Sequence, residues 1–136
     1  MTPTYLLLVR DTTPEVYEGL SAEERRHLLN QWNGWCDRLA AAGLEAGHPL
    51  DNGGRVVSGA RGERVVDGPF SEAKELVGGF FLLTIPSLDD VTELARQCPL
   101  LPWGMTVEIR PVIDACHLAT SLGMSTMRES DESAAA

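Results

Sequence analysis

Long apolar runs are missing from this chain of 136 residues. The longest, Phe80 to Ile85, is strand-sized and falls far short of the roughly 18–20 residues that a membrane-spanning helix needs. Basic residues are also scarce: 11 Lys and Arg stand against 20 Asp and Glu, a formal net charge of −9, and Lys74 is the only lysine. That balance argues against sequence-independent nucleic-acid binding, which depends on Lys and Arg neutralising phosphates. It argues equally against an anionic membrane surface. The one adjacent basic pair, Arg25-Arg26, directly follows Glu23-Glu24. Cysteine is limited to Cys36, Cys98 and Cys116, with no CxxC pair. An odd, scattered set is a poor disulfide framework and points to a reducing cytoplasm. The N-terminus, MTPTYLLLVRD, lacks the basic region of a signal peptide and reads as a first strand. GxGxxG, Walker and GxSxG motifs are absent, and no His, Cys, Asp and Glu spacing suggests a zinc site. No cofactor or metal is expected.

What is present suits one globular domain with a real core: 43% of residues are hydrophobic and 23% charged. Tyr5 to Arg10 reads as a strand, and Asp11 to Gly19 as a loop. Ser21-Ala-Glu-Glu24 is a capping box. Leu28, Trp32, Trp35 and Leu39 then recur at helical spacing, and Gly43 ends the helix. Asp51-Asn-Gly-Gly54 is a turn, and Arg55 to Ser58 with Glu63 to Val66 form a hairpin. Val77 to Ile85 reads as a buried strand in which Gly78-Gly79 permits a bulge or a close backbone approach. Ser87 caps a second helix whose Leu88, Val91, Leu94 and Ala95 face the core, and Thr106 to Val112 alternates as a half-exposed strand.

The order strand, helix, hairpin, strand, helix, strand suits an α+β, ferredoxin-like βαββαβ layout, an antiparallel sheet with two helices on one face. Its second face must meet solvent, a ligand or a second subunit. The domain is expected to span residues 1–113. Residues 114–136 read as a tail that frays, or that packs Leu118 and Leu122 from a short helix onto a partner subunit.

The segment Asp67-Gly-Pro-Phe-Ser-Glu-Ala-Lys-Glu75, followed by Gly78-Gly79, then Cys98-Pro99 and Glu108-Ile-Arg-Pro111, resembles the DGPF-domain branch of the YCII-related family over residues 4 to 113. Ala73 stands where a Thr or Ser is usual, and Ser58-Gly59 near a usual Thr-x-Arg strand, where Arg55, Arg61 or Arg64 can substitute. The resemblance implies a homodimer of the dimeric α+β barrel type. The first functional reading is a protein that binds a small polar molecule in a cleft near the DGPF loop, open between binding alone and cofactor-free acid/base chemistry on it. Relatives often adjoin alternative sigma factors, which implies the alternative of a non-catalytic regulatory partner in transcription. In relatives proposed to be enzymes a His on the first helix acts with a nearby Asp. That position falls on Asn30, which cannot act as a base, so the mechanism does not transfer directly unless His27 or His48 replaces it.

Asp67 and His48 are the candidate catalytic residues. Asp67 either bonds its own downstream backbone as an Asx-turn or faces a cleft as acid or base. His48, expected in a loop, has the side chain most readily tuned near neutral pH. Candidate substrate-binding residues are Lys74, Glu75, Arg110, Glu108 and Trp103. Each has a plainer reading: an exposed ion pair for Lys74 and Glu75, a cross-strand pair at a dimer interface for Glu108 and Arg110, and a core aromatic for Trp103.

Overall fold

A computed structural model describes residues 2–11, 14–68 and 76–128. The central sheet is built by alternation. In β1 (Thr4–Asp11), Tyr5, Leu7 and Val9 are buried while the residues between them are not. In β5 (Leu76–Thr84), Phe81 and Leu83 are buried in the same rhythm. With period-two side chains, this places one apolar face against a helical layer. β1 pairs antiparallel with β5 on one side and with β6 (Thr106–Pro111) on the other. β2 (Leu44–Pro49) adds to β5, giving the order β2-β5-β1-β6. The topology is ferredoxin-like, and the sheet ends in two edges, β2 and β6, without closing into a barrel.

The helical layer comes from α1 (Ala22–Ala42) and α2 (Leu88–Ala95). The capping box forms as expected, the Ser21 hydroxyl accepting from the Glu24 N–H at 3.1 Å and the Glu24 carboxylate from the Ser21 N–H at 3.1 Å. Gly43 ends α1 with φ 137°, and a Cβ there would overlap the Thr84 carbonyl. Trp35 and Leu39 of α1 are fully buried with Val91 of α2 against Leu7 and Leu83. The Trp35 indole Nε1–H donates to the Leu94 carbonyl at 2.8 Å, so the polar atom of this buried ring is satisfied. On the opposite face Leu6, Leu8, Phe80 and Leu82 stay partly exposed.

Four expectations need correction. The segment 44–49 is strand β2, so His48 is not in a loop: it sits opposite Phe80. LEAGHP contains no β-branched residue, and pairing with β5, not propensity, makes it a strand. The hairpin of β3 (Arg55–Ser58) and β4 (Arg64–Asp67) is a separate two-stranded sheet inserted between β2 and β5. Asp11 ends β1, and the loop after it carries a 3-10 turn at Pro14–Tyr17. Leu88, the first residue of α2, is 48% exposed and does not join Val91 and Ala95 in the core. In the tail, α3 (His117–Ser121) is a short helix that buries Ala119 and exposes Leu118 and Leu122.

Candidate functional site

Grooves lie between α1 and the end of the sheet where β1 and β2 finish and β5 and β6 begin, and glycines make the geometry possible. β1 and β5 fall out of register between Val9 and Arg10, leaving Gly78 as the extra residue of a bulge. A Cβ on Gly78 would stand 3.4 Å from the Asp11 Cβ, and one on Gly79 would stand 3.1 Å from the His48 carbonyl. The Gly-Gly pair therefore permits both the bulge and the close approach. Gly47 does the same for the ring of Phe81, which a Cβ would meet at 2.6 Å.

A groove of about 290 Å³ opens there, lined by Asp11, His48, Trp32, Cys36, Phe81 and Met105 among others. It adjoins a larger groove of about 540 Å³, which shares Asp11, Trp32, Pro49 and Met105 and adds Tyr17, Arg25, Leu28, Leu29 and Leu100. Arg25, Leu28, Leu29 and Trp32 are spaced 3, 1 and 3 apart on α1, so one helical stripe forms the wall. A third groove, about 470 Å³, lies beyond Tyr17 and is lined by Leu20, Glu23, Glu24, His27, Leu28 and Trp103. The rings of Tyr17 and Trp103, 6.3 Å apart, stand between the second and third grooves. Trp32 packs 5.1 Å from Trp35 and 6.1 Å from Phe81, which ties the groove wall to the core.

The polar groups of the joined grooves are few. The Tyr17 hydroxyl donates to Asp11 Oδ1 at 3.4 Å. Burial, then the charge of Asp11, pushes the Tyr17 hydroxyl up to about 12, so it remains a protonated donor. Burial, with the charge of Asp37 second, also pushes the Cys36 thiol up, and burial raises the Cys98 thiol. Both stay thiols at neutral pH, the unreactive form.

The residues singled out in the sequence are scattered. His48 lines the 290 Å³ groove, its ring 6.0 Å from that of Phe80. Trp103 lines the third groove. Glu108 and Arg110 sit on β6, on the sheet face opposite the helices. There Glu108 accepts from Arg10 at 3.1 Å and from Arg110 at 3.3 Å. Those bonds hold its carboxyl below the ordinary range. Asp67 ends β4 with its side chain 97% exposed, 3.7 Å from Arg55, and is not among the residues lining these three grooves. Lys74 and Glu75 lie outside the described residues, as do Pro69 and Phe70 of the DGPF motif.

Asp11, Tyr17, Arg25, Trp32 and Met105 were not singled out. The available signal is an acid, Asp11, at the end of the first strand, with a Gly-Gly pair in the strand that pairs with it. Among the described residues no group of His, Cys, Asp and Glu is placed to hold a metal ion. No helix is long and apolar enough to cross a membrane, among the described residues.

Among solved structures, the chain is similar to 5-chloro-2-hydroxyhydroquinone dehydrochlorinase from Burkholderia phenoliruptrix, determined with 2,5-dihydroxybenzoquinone. The identity is 14%, the TM-score 0.49, and the match covers 82% of this chain and 95% of that one. No curated protein matches. The family model of the YCII-related domain matches residues 4–115, from the first strand through the last strand of the sheet, and the chain belongs to the YCII-related family.

Proposed function

We propose that this YCII-related protein binds a small molecule in the groove between α1 and the end of the sheet where β1 and β2 finish, and carries out cofactor-free acid/base chemistry on it. The observation that carries this reading is the convergence of one carboxylate, Asp11, and one imidazole, His48, on a single apolar groove of about 290 Å³. Grooves with apolar walls and a few placed polar groups are the usual form of small-molecule sites. In this reading Asp11 takes or returns a proton, His48 serves as its counterpart, and Tyr17 orients Asp11. Asp67, on the separate hairpin sheet, is not among the residues lining this groove. The partly exposed face of Leu6, Leu8, Phe80 and Leu82 supports a homodimer in which two sheets pack face to face.

A second reading is a non-catalytic regulatory partner linked to an alternative sigma factor. It is supported by the exposed apolar residues Val57 and Val65 of the hairpin and Leu118 and Leu122 of the tail, between 53% and 74% exposed. One experiment separates the two: a thermal-shift screen with a metabolite library on wild type, Asp11→Asn, His48→Ala and Asp67→Ala. A ligand at about 100 times its dissociation constant stabilises by roughly 2.7 kcal/mol, a shift of several degrees for a protein of this size. The groove reading expects hits that vanish in folded Asp11→Asn and His48→Ala variants and persist in Asp67→Ala. Hits lost only in Asp67→Ala move the site to the DGPF loop. An absence of hits, with a protein partner lost on Val57→Ser/Val65→Ser or on tail removal, establishes the second reading.

A further inference from the structure

The joined grooves are polarised along their length. Asp11 lies where the two grooves meet, and Arg25 lies on the outer stripe of α1, in the larger groove only. Between them the walls are Leu28, Leu29, Trp32 and Met105. Leu29 is 57% exposed, an apolar side chain that nothing among the described residues covers fully. Arg25 bonds through Nε to the Ser21 carbonyl at 3.4 Å and makes no ion pair with any described carboxylate. In a chain of net charge −9 an anion is repelled at long range, so it must be captured locally. Among the described residues lining this groove the cation is Arg25, and Asp11 sets a carboxylate at the other end. A carboxylate accepts up to about four hydrogen bonds, so Asp11 can accept from a ligand hydroxyl while holding Tyr17.

From this arrangement we infer that the site takes an amphiphilic carboxylic acid. Its anionic end pairs with Arg25, its apolar body lies against Leu28, Leu29 and Trp32, and a hydroxyl at its far end donates to Asp11. This rests on the groove being the ligand site and adds the ligand's charge and direction. The orientation follows from the signs of the two ends: reversing the ligand would set carboxylate against carboxylate.

The test compares octanoate, 1-octanol and octylammonium as probes, with 8-hydroxyoctanoate as a fourth, read by quenching of tryptophan fluorescence. The prediction is that octanoate binds about tenfold more tightly than octanol, and that octylammonium, drawn to Asp11 at the other end, loses affinity in Asp11→Ala and not in Arg25→Gln. Arg25→Gln removes the advantage of octanoate over octanol and leaves octanol binding unchanged, while Arg26→Gln, the same charge change one residue along, does not. The hydroxyl of 8-hydroxyoctanoate adds about tenfold over octanoate, and Asp11→Ala abolishes that gain. Octanoate binding no better than octanol, or as well to Arg25→Gln as to wild type, overturns the charge assignment and leaves the groove as a site. Failure of all four probes to bind overturns both.

Discussion

Gly47 shows what a single absent methyl does for the site. With no Cβ at that position the Phe81 ring packs under β2, and His48, the next residue, is held at the groove. Gly47→Ala is expected to cost about 1–3 kcal/mol through overpacking. Gly53→Ala, where a Cβ would meet nothing within 4 Å, is expected to be neutral or slightly stabilising. Urea denaturation of the two variants reads the contrast, and equal losses would contradict the packing argument. Charge at residue scale gives a pH prediction. Hydrogen bonds from Arg10 and Arg110 hold Glu108, and backbone N–H groups hold Glu24 and Glu63, below the ordinary carboxyl value of 4.5. A carboxyl whose value is lower folded than unfolded contributes stability that is present above the unfolded value and is lost as pH falls through the folded one. Stability should therefore decline on acidification below about pH 4.5, and the decline should be shallower in Glu108→Gln. A pH series of denaturation midpoints checks this.

At the scale of elements, α1 connects the fold to the site, because one stripe of it enters the core and another walls the grooves. Its N-terminus is fixed by the reciprocal Ser21–Glu24 bonds. Ser21→Ala should cost about 1 kcal/mol, visible as a drop of a few degrees in Tm, and a Tm within error of wild type would contradict the cap's role. Much of this was legible in the sequence. Leu28, Trp32, Trp35 and Leu39 announce α1 by spacing, Ser21 and Gly43 announce its ends, and Val107 and Ile109 announce the inward face of β6. Strand β2 was not legible. Gly47 and Pro49 disfavour a strand locally, and what makes them one is a β5 partner some thirty residues away. The hairpin was legible as a hairpin, but its detachment from the main sheet was not, since Val56, Val57, Val65 and Val66 look like sheet residues wherever they end up. Asp11 was read as loop for a related reason: its partner, Leu76, and the bulge beside it are fixed only by pairing.

For the whole molecule, a two-layer domain carries its grooves where α1 meets the ends of β1 and β2, with polar groups few and apolar walls many. The family motif draws attention to Asp67, whereas the grooves draw it to Asp11 and His48. The two places lie on different sheets. The measurement that decides between them most directly is an NMR titration of the isotope-labelled protein with the strongest ligand from the thermal-shift screen, followed through backbone and tryptophan indole shifts. The prediction is that perturbations cluster at Asp11, Tyr17, Trp32 and His48, with Asp67 and Gly68 unmoved. Perturbations centred on Asp67 to Glu75, with the Trp32 indole unchanged, would contradict it.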